Sequence, residues 1–112
     1  MPACILIVDD ESTITDGLKL LLRDHGYEAR TSATAAEAKT LLARHWFDLV
    51  FLDLRLPDAD GIRLLEHIKQ NSPETEVILM TAHGSLEITI EAIKRGAFYY
   101  LEKPFTFDQV LI

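Results

Sequence analysis

The sequence predicts an α/β fold built around a parallel sheet, and two observations carry that prediction. Short apolar runs alternate along the chain with longer segments of helical periodicity. The apolar runs at residues 5–8, 49–52, 77–80 and 98–101 have the length and composition of strands buried on both faces of a sheet. Because strict alternation of strand and helix requires right-handed crossovers, we expect helices on both faces of the sheet.

The first strand, residues 5–8, ends at Asp9 and Asp10. The helix after it is predicted by four apolar residues with the i, i+4, i+7, i+8 spacing of one helix face. Gly26 is suited to the C-terminal end of this helix, and residues 27–31 form a short second strand. The apolar face of the helix consists of Ile14, Leu18, Leu21 and Leu22.

The second and third helices are predicted from signals at their ends. Thr34 and Glu37 have the spacing of a capping box, which opens a helix. A turn at residues 57–61 precedes the third helix, and Pro73 ends it because proline cannot continue the hydrogen-bond ladder. The apolar residues on one face are Ala38, Leu41 and Leu42 in the second helix and Leu64, Leu65 and Ile68 in the third.

The fourth helix carries an apolar stripe and is ended by Gly96. Residues 106–109 form another capping box, which opens a fifth helix. The chain stops one or two turns later, so we expect a truncated fifth helix, with an output module lost beyond Ile112. The apolar stripe of the fourth helix consists of Leu86, Ile90 and Ile93.

Five strands connected in this way usually assemble in the order 2-1-3-4-5, the flavodoxin-like doubly wound arrangement. Ligands of such sheets bind outside the carboxyl ends of the strands. Strands 1 and 3 are neighbours at the switch point of this order, so Asp9, Asp10 and Asp53 should meet in one pocket. Thr81, at the end of strand 4, and Lys103, just beyond strand 5, are expected at the same edge.

The composition bounds the class of protein. The 112 residues suffice for one domain and are too few for two. The net charge of −7 argues against a surface for nucleic acid, which needs clustered lysine and arginine. One cysteine cannot form an internal disulfide, and no apolar run approaches the ~20 residues of a membrane-spanning helix. A cytoplasmic protein without membrane contact is expected.

The residues expected at this edge could handle phosphate. Two carboxylates ~4 Å apart repel by roughly 4 kcal/mol at an effective dielectric of about 20, so three of them favour a bound cation. Mg²⁺ or Mn²⁺ suits such oxygen ligands. Lys103 offers a compact charge for phosphate oxygens, and Thr81 offers a hydroxyl donor. Asp53, alone on the middle strand, is the natural nucleophile, since carboxylates form acyl phosphates.

Each residue also has a simpler interpretation. Asp9 and Asp10 could end a strand and cap a helix, and Asp53 could be a solvated loop acid. Lys103 could be a surface lysine before a proline that stops the strand. Tyr100 could be a strand aromatic packed on its neighbour. The combination of these residues, rather than any one of them, favours a phosphate site.

The combination resembles the receiver domain of response regulators in two-component signalling, and the resemblance covers essentially the whole chain. The matching segments are Ile7-Val8-Asp9-Asp10-Glu11, residues 52–61 around Asp53, Met80-Thr81-Ala82 and Lys103-Pro104-Phe105. A subtler likeness joins the chain to the receivers of NtrC-type transcriptional activators. It is carried by Ala82-His83-Gly84-Ser85, residues 92–97 and residues 100–105.

The resemblance implies a function and roles for individual residues. Asp53 would take a phosphoryl group from the phosphohistidine of a sensor histidine kinase, and Lys103 would contact the phosphoryl oxygens. Thr81 and Tyr100 would form the switch pair. Asp10, Asp53 and the main-chain carbonyl of Arg55 would bind Mg²⁺ directly, and Asp9 would help to hold it.

The same resemblance implies partners and regulation, with a regulatory domain rather than an enzyme as the expected class. The full-length protein would carry an output domain that regulates transcription, and the face of helix 4, strand 5 and helix 5 could form a homodimer. The Lys103-Pro104 peptide would be cis.

Three other classes of protein are weighed against this one. A phosphatase of the haloacid-dehalogenase type also uses an aspartate nucleophile with Mg²⁺, but its nucleophile ends the first strand. A flavodoxin-like FMN-binding protein would need a phosphate loop rich in Ser, Thr and Gly after strand 1, where this chain has two acids. The third class is a receiver-like interaction module that no longer accepts phosphate. The only argument against it is that all the acids needed for the reaction are present.

Overall fold

Five parallel strands form one sheet in the order β2-β1-β3-β4-β5, as predicted, in a computed structural model that describes residues 2–82 and 86–111. The side chains of Leu86 and Phe107 are also outside the description, as are residues 83–85 of the NtrC-like segment. The elements are β1 Cys4–Val8, α1 Ser12–Asp24, β2 Glu28–Ser32, α2 Ala35–Arg44, β3 Leu49–Asp53, α3 Gly61–Asn71, β4 Glu76–Thr81, α4 Leu86–Lys94, β5 Tyr99–Glu102 and α5 Phe107–Leu111.

Two helices end at glycines in the left-handed region, as their positions in the sequence predict. Gly26 has φ +88° and Gly96 has φ +110°, backbone conformations that residues with a Cβ atom rarely adopt. The amide after each glycine turns back onto the helix: Tyr27 N–H donates to Leu22 O, and Ala97 N–H to Ala92 O, both at 3.0 Å.

The strands predicted to begin at Tyr27 and Phe98 start later than expected, and for the first of them the end of α1 gives the reason. The second strand begins at Glu28, because the Tyr27 amide completes the end of α1. The fifth strand begins at Tyr99, and the Phe98 side chain before it is 67% exposed. Both strands therefore start one residue later than the apolar pattern predicts.

Side chains alternate between the two faces of the sheet and build a core on each. On one face, Leu6, Val50 and Leu79 pack with buried residues of α2 and α3. On the other face, Ile7 and Phe51 pack with buried residues of α1. The central strands β1, β3 and β4 are covered on both sides, which explains their nearly unbroken apolar sequence.

The apolar stripe predicted for the fourth helix is not covered in the same way. Ile90 and Ile93 are 45% and 43% exposed, and Ile88 is 44% exposed. Ala92 of the same helix is fully buried. Periodicity identifies the apolar side of a helix but not what packs against it. An apolar surface therefore remains open on α4. None of the described helices is long and apolar enough to cross a membrane.

The packing of α1 gives a matched test of the core. Leu18 is fully buried and Leu20, two residues along the same helix, is 65% exposed. We expect Leu18→Ala to lower the free energy of unfolding by roughly 2–5 kcal/mol through lost burial and a residual cavity. Leu20→Ala should stay within about 0.5 kcal/mol of the wild type. Urea denaturation measures both, and equal losses would contradict the assignment of the core face.

Candidate functional site

The sheet register brings the predicted site residues to one edge. Val8 pairs with Leu52 and Asp53 pairs with Met80, so the residues that follow β1 lie beside the end of β3. On the far side, the Lys103 N–H donates to Thr81 O at 2.7 Å and so continues the pairing of β5 with β4. The carboxyl ends of four strands thus surround one cleft of about 760 Å³.

Three carboxylates gather at this edge. Oxygen atoms of Asp9, Asp10 and Asp53 all lie within 4.8 Å of one another. Asp9 and Asp53 are buried, at 1% and 6% exposure, whereas Asp10 is exposed and lines the cleft. Because like charges at this separation repel, the cluster stores unfavourable energy that a cation would relieve.

Lys103 supplies the positive charge at the centre of the cluster. Its Nζ lies 2.7 Å from Asp9 Oδ2, 3.0 Å from Glu11 Oε1 and 3.2 Å from Asp53 Oδ2, and 9% of its side chain is exposed. Burial by itself lowers the pKa of an ammonium, but the carboxylates of Asp9, Glu11 and Asp53 outweigh burial and raise the pKa of Lys103. The lysine therefore stays charged.

Asp9 is the most constrained of the acids. Burial raises the pKa of its carboxyl, and the nearby charge of Asp53 adds to that increase, while Lys103 and the Glu11 amide oppose it. Its Oδ1 accepts the Glu11 N–H at 2.9 Å. Its Oδ2 is buried and makes no hydrogen bond, so the contact with Lys103 is an ion pair without hydrogen-bond geometry. Such an oxygen suits a cation in the cluster, and the donor set fits a hard divalent ion.

Asp53 lines the cleft and is held by both of its oxygens. Oδ1 accepts the Arg55 N–H at 3.0 Å, and Oδ2 faces the Lys103 ammonium. Gly61 packs against the same backbone, since a Cβ on it would lie 2.5 Å from Asp53 O. Only glycine fits there, and this close contact with α3 limits movement of the backbone that carries Asp53.

The two residues predicted to form a switch pair lie in different environments. Thr81 is buried at 5% exposure and lines the cleft. Tyr100 is 41% exposed, lies opposite Leu79 in the sheet, and packs its ring on Tyr99 at a centroid distance of 5.9 Å. Tyr100 is not among the residues that line the described cleft. The register, in which Thr81 lies opposite Glu102, places Tyr100 two positions before that partner on the neighbouring strand.

Most of this site can be predicted from the sequence, but the roles of three residues cannot. Glu11 belongs to the motif after β1, and the structure adds that its carboxylate contacts Lys103. Gly61 belongs to the predicted turn, and its tight contact with the end of β3 has no signal in the sequence. Asp58 belongs to the same turn, and its carboxylate accepts hydrogen bonds from the first amides of α2. The Lys103-Pro104 peptide is cis, as expected.

The chain matches known proteins over nearly its whole length. The family model of the response regulator receiver domain matches residues 5–112. The chain is 43% identical over 106 residues to the alginate biosynthesis transcriptional regulatory protein AlgB of Pseudomonas putida. It is 42% identical over 110 residues to the nitrogen assimilation regulatory protein NtrX of Azorhizobium caulinodans. These alignments cover 95% and 96% of this chain but only 24% of each relative.

Solved structures agree with the sequence comparisons. A CheY-like receiver domain protein from Methanospirillum hungatei superposes with a TM-score of 0.95 at 35% identity, covering 99% of this chain and 89% of that one. The beryllofluoride-activated NtrC4 receiver domain, solved as a dimer, gives a TM-score of 0.92 at 41% identity, covering 96% and 89%. The predicted likeness to NtrC-type receivers is confirmed.

The acid cluster can be tested with metal alone. We expect Mg²⁺ to raise the melting temperature of the wild type, because a ligand that binds only the folded state stabilises it, by about 2.7 kcal/mol at a hundred times its Kd. Asp10→Ala should remove this rise, and should raise the melting temperature without metal by relieving repulsion.

The control is Asp16→Ala, which removes an exposed acid of α1 outside the cluster and should keep the Mg²⁺ effect. Differential scanning calorimetry with and without Mg²⁺ measures all three proteins. An unchanged Mg²⁺ shift in Asp10→Ala would place the metal outside this cluster.

Proposed function

Because this chain belongs to the response regulator receiver family, we propose that it is a phosphorylation-activated switch whose Asp53 accepts a phosphoryl group from the phosphohistidine of a sensor histidine kinase. The observation that carries the proposal is the setting of the Asp53 carboxylate. It lines an open cleft, 3.2 Å from a lysine that stays charged and beside two further acids. The domain regulates and is not a classical enzyme.

The transfer forms one bond and breaks one. An Asp53 carboxylate oxygen attacks phosphorus, and the bond from phosphorus to the kinase histidine nitrogen breaks. That nitrogen keeps the electron pair of the broken bond and takes a proton from solvent, so the histidine leaves as the neutral ring. Asp53 becomes an acyl phosphate. In-line transfer depends on positioning and charge neutralisation more than on covalent machinery.

The residues at the cleft can hold Mg²⁺, or Mn²⁺ in its place. Asp10, Asp53 and the main-chain carbonyl of Arg55 would be its ligands, with Asp9 supporting it, and a bound divalent ion would neutralise charge on the phosphoryl oxygens. The protein's own contribution is Lys103. Its ammonium has three donors and faces three carboxylates, so it can exchange one of these contacts for a phosphoryl oxygen and stay in place.

The switch is a two-state equilibrium biased by the new charge. A phosphoryl group on Asp53 offers acceptor oxygens beside Thr81, and the Thr81 hydroxyl moves to donate to one of them. The space it leaves is then open to the Tyr100 ring, which is exposed in the present structure. A phosphoryl group that contacted both states equally would shift nothing, so Thr81 and Lys103 must bind it better in the active state.

The change would be detected on the face of α4, β5 and α5. This face exposes a set of large apolar side chains, and exposed apolar patches mark sites of protein association. We propose a homodimer through it, supported by the dimeric NtrC4 neighbour. We also propose a cytoplasmic full-length protein with a transcription-regulating output domain. The exposed side chains are Ile88, Ile90, Ile93, Phe98, Tyr99, Tyr100 and Leu111.

The phosphoacceptor is tested by labelling. Wild type incubated with Mg²⁺ and acetyl phosphate should gain one phosphoryl group, and Asp53→Ala should gain none while keeping its folded circular dichroism spectrum. Asp16→Ala is the control and should be labelled like the wild type. Intact-protein mass spectrometry measures the product. Labelling that persists in folded Asp53→Ala would exclude Asp53 as the acceptor.

The same experiment separates the alternative functions. Multiple turnover on a phosphate ester would favour an aspartate-nucleophile phosphatase. A wild type that neither becomes labelled nor binds beryllium fluoride would favour a non-reactive interaction module.

The switch is tested with a variant that should still be phosphorylated at Asp53 but should no longer change the environment of Tyr100. We expect Thr81→Ala to accept the phosphoryl group at Asp53 but to lose most of the change in the Tyr100 ring resonances that beryllium fluoride causes in the wild type. Nuclear magnetic resonance measures that change. Thr40→Ala, on the exposed side of α2, should respond like the wild type. A full Tyr100 response in Thr81→Ala would remove Thr81 from the switch.

A further inference from the structure

The loop between β3 and α3 is closed at its base. Gly61 N–H donates to Leu54 O at 2.9 Å, and Arg55 and Asp60 face each other in an isolated antiparallel bridge. The Asp60 side chain turns onward and caps α3 through the Ile62 amide at 2.9 Å. These bonds pair the two ends of the loop with each other, whereas the outer part of the loop, around Asp58, depends on contacts with another element.

The outer part is attached to a different helix. Asp58 Oδ1 accepts the Ala35 N–H at 2.8 Å, and Oδ2 accepts the Ala36 N–H at 3.0 Å. These are the first two residues of α2, more than twenty positions earlier in the chain. The two amide bonds lower the pKa of the Asp58 carboxyl, as expected where a carboxylate meets the positive end of a helix.

The helix that receives Asp58 already has a local cap. Thr34 Oγ1 accepts the Glu37 N–H at 3.1 Å, the capping contact predicted from sequence. Three N–H groups at the start of α2 therefore donate to side chains: one hydrogen bond goes to Thr34 and two go to Asp58. Ala35 and Ala38 are buried at 3% and 0% exposure, so this end of α2 is a fixed point of the core.

The segment held at that fixed point leads directly to the reactive carboxylate. Only four residues separate Asp58 from Asp53, and among them is Arg55, whose N–H bonds to Asp53 Oδ1 at 3.0 Å. We propose that Asp58 is a positioning residue: it ties the outer loop to α2 and so holds the Arg55 main chain in the place that the Asp53 site requires. The inference rests on the proposed function, in which the Arg55 carbonyl is a metal ligand.

Two capping variants of the same helix test this role. Asp58→Ala and Thr34→Ala both weaken the first turn of α2, but only Asp58→Ala frees the loop. We expect both to lower the melting temperature. Only Asp58→Ala should weaken Mg²⁺ binding, by about tenfold, as is usual when a group that orients a metal ligand is removed. It should also slow labelling by acetyl phosphate at subsaturating Mg²⁺.

A conservative variant adds a second measurement. Asp58→Asn keeps one carbonyl oxygen and can accept one of the two amides, and Asn caps helices as well as Asp does. Its Mg²⁺ affinity should lie between those of the wild type and Asp58→Ala. Isothermal titration calorimetry with Mg²⁺ alone gives the affinities.

The outcomes separate the inference from the function beneath it. If the wild type binds Mg²⁺ and is labelled, and Asp58→Ala matches Thr34→Ala in both measurements, then Asp58 is only a helix cap and the inference is wrong. If the wild type itself neither binds Mg²⁺ nor becomes labelled, the proposed function fails, and the inference fails with it.

Discussion

The balance of charge around Lys103 governs the whole site. Three carboxylates from the ends of two strands and the following loop converge on one ammonium, and two of those acids are buried. Neither sign of charge could be buried here alone, because an unpaired ion in a protein interior costs several kcal/mol. The lysine compensates only part of the negative charge, and the remaining charge is what favours the proposed binding of a divalent cation.

The fold supplies the rigidity that such a cluster needs. The central strands are covered on both faces, and the proposed phosphoacceptor Asp53 ends the middle strand, where Gly61 packs directly against its backbone. Other parts are held less firmly. Three isoleucines of α4 are more than 40% exposed, and the tyrosines of β5 are also exposed. A well-packed carboxylate cluster beside a surface with exposed apolar side chains is the arrangement expected of the proposed switch, because local rearrangements draw on the less stable regions.

Much of the fold and most of the site could be predicted, because both depend on short-range patterns. Apolar runs and helix-end signals predict every strand and helix, with errors of about one residue at several strand boundaries. At Tyr27 the reason is that the end of α1 takes the amide that would have started β2. The rule that ligands bind at the carboxyl ends of parallel strands then placed Asp9, Asp53 and Lys103 together. The exposure of Ile90 and Ile93 was missed, because periodicity carries no information about what covers a helix.

Local periodicity and the handedness of parallel connections are enough to predict the order of the elements, the edge at which the site forms and the residue types gathered there. The contacts that hold the site in place become visible only in three dimensions. They are the ion pair of Glu11 with Lys103, the packing of Gly61 against the backbone of Asp53, and the hydrogen bonds of Asp58 to the start of α2. Such contacts depend on distances between segments that no local pattern encodes. For the same reason, the role of Tyr100 in the switch pair could be proposed from the sequence, whereas its position outside the described cleft could not be predicted.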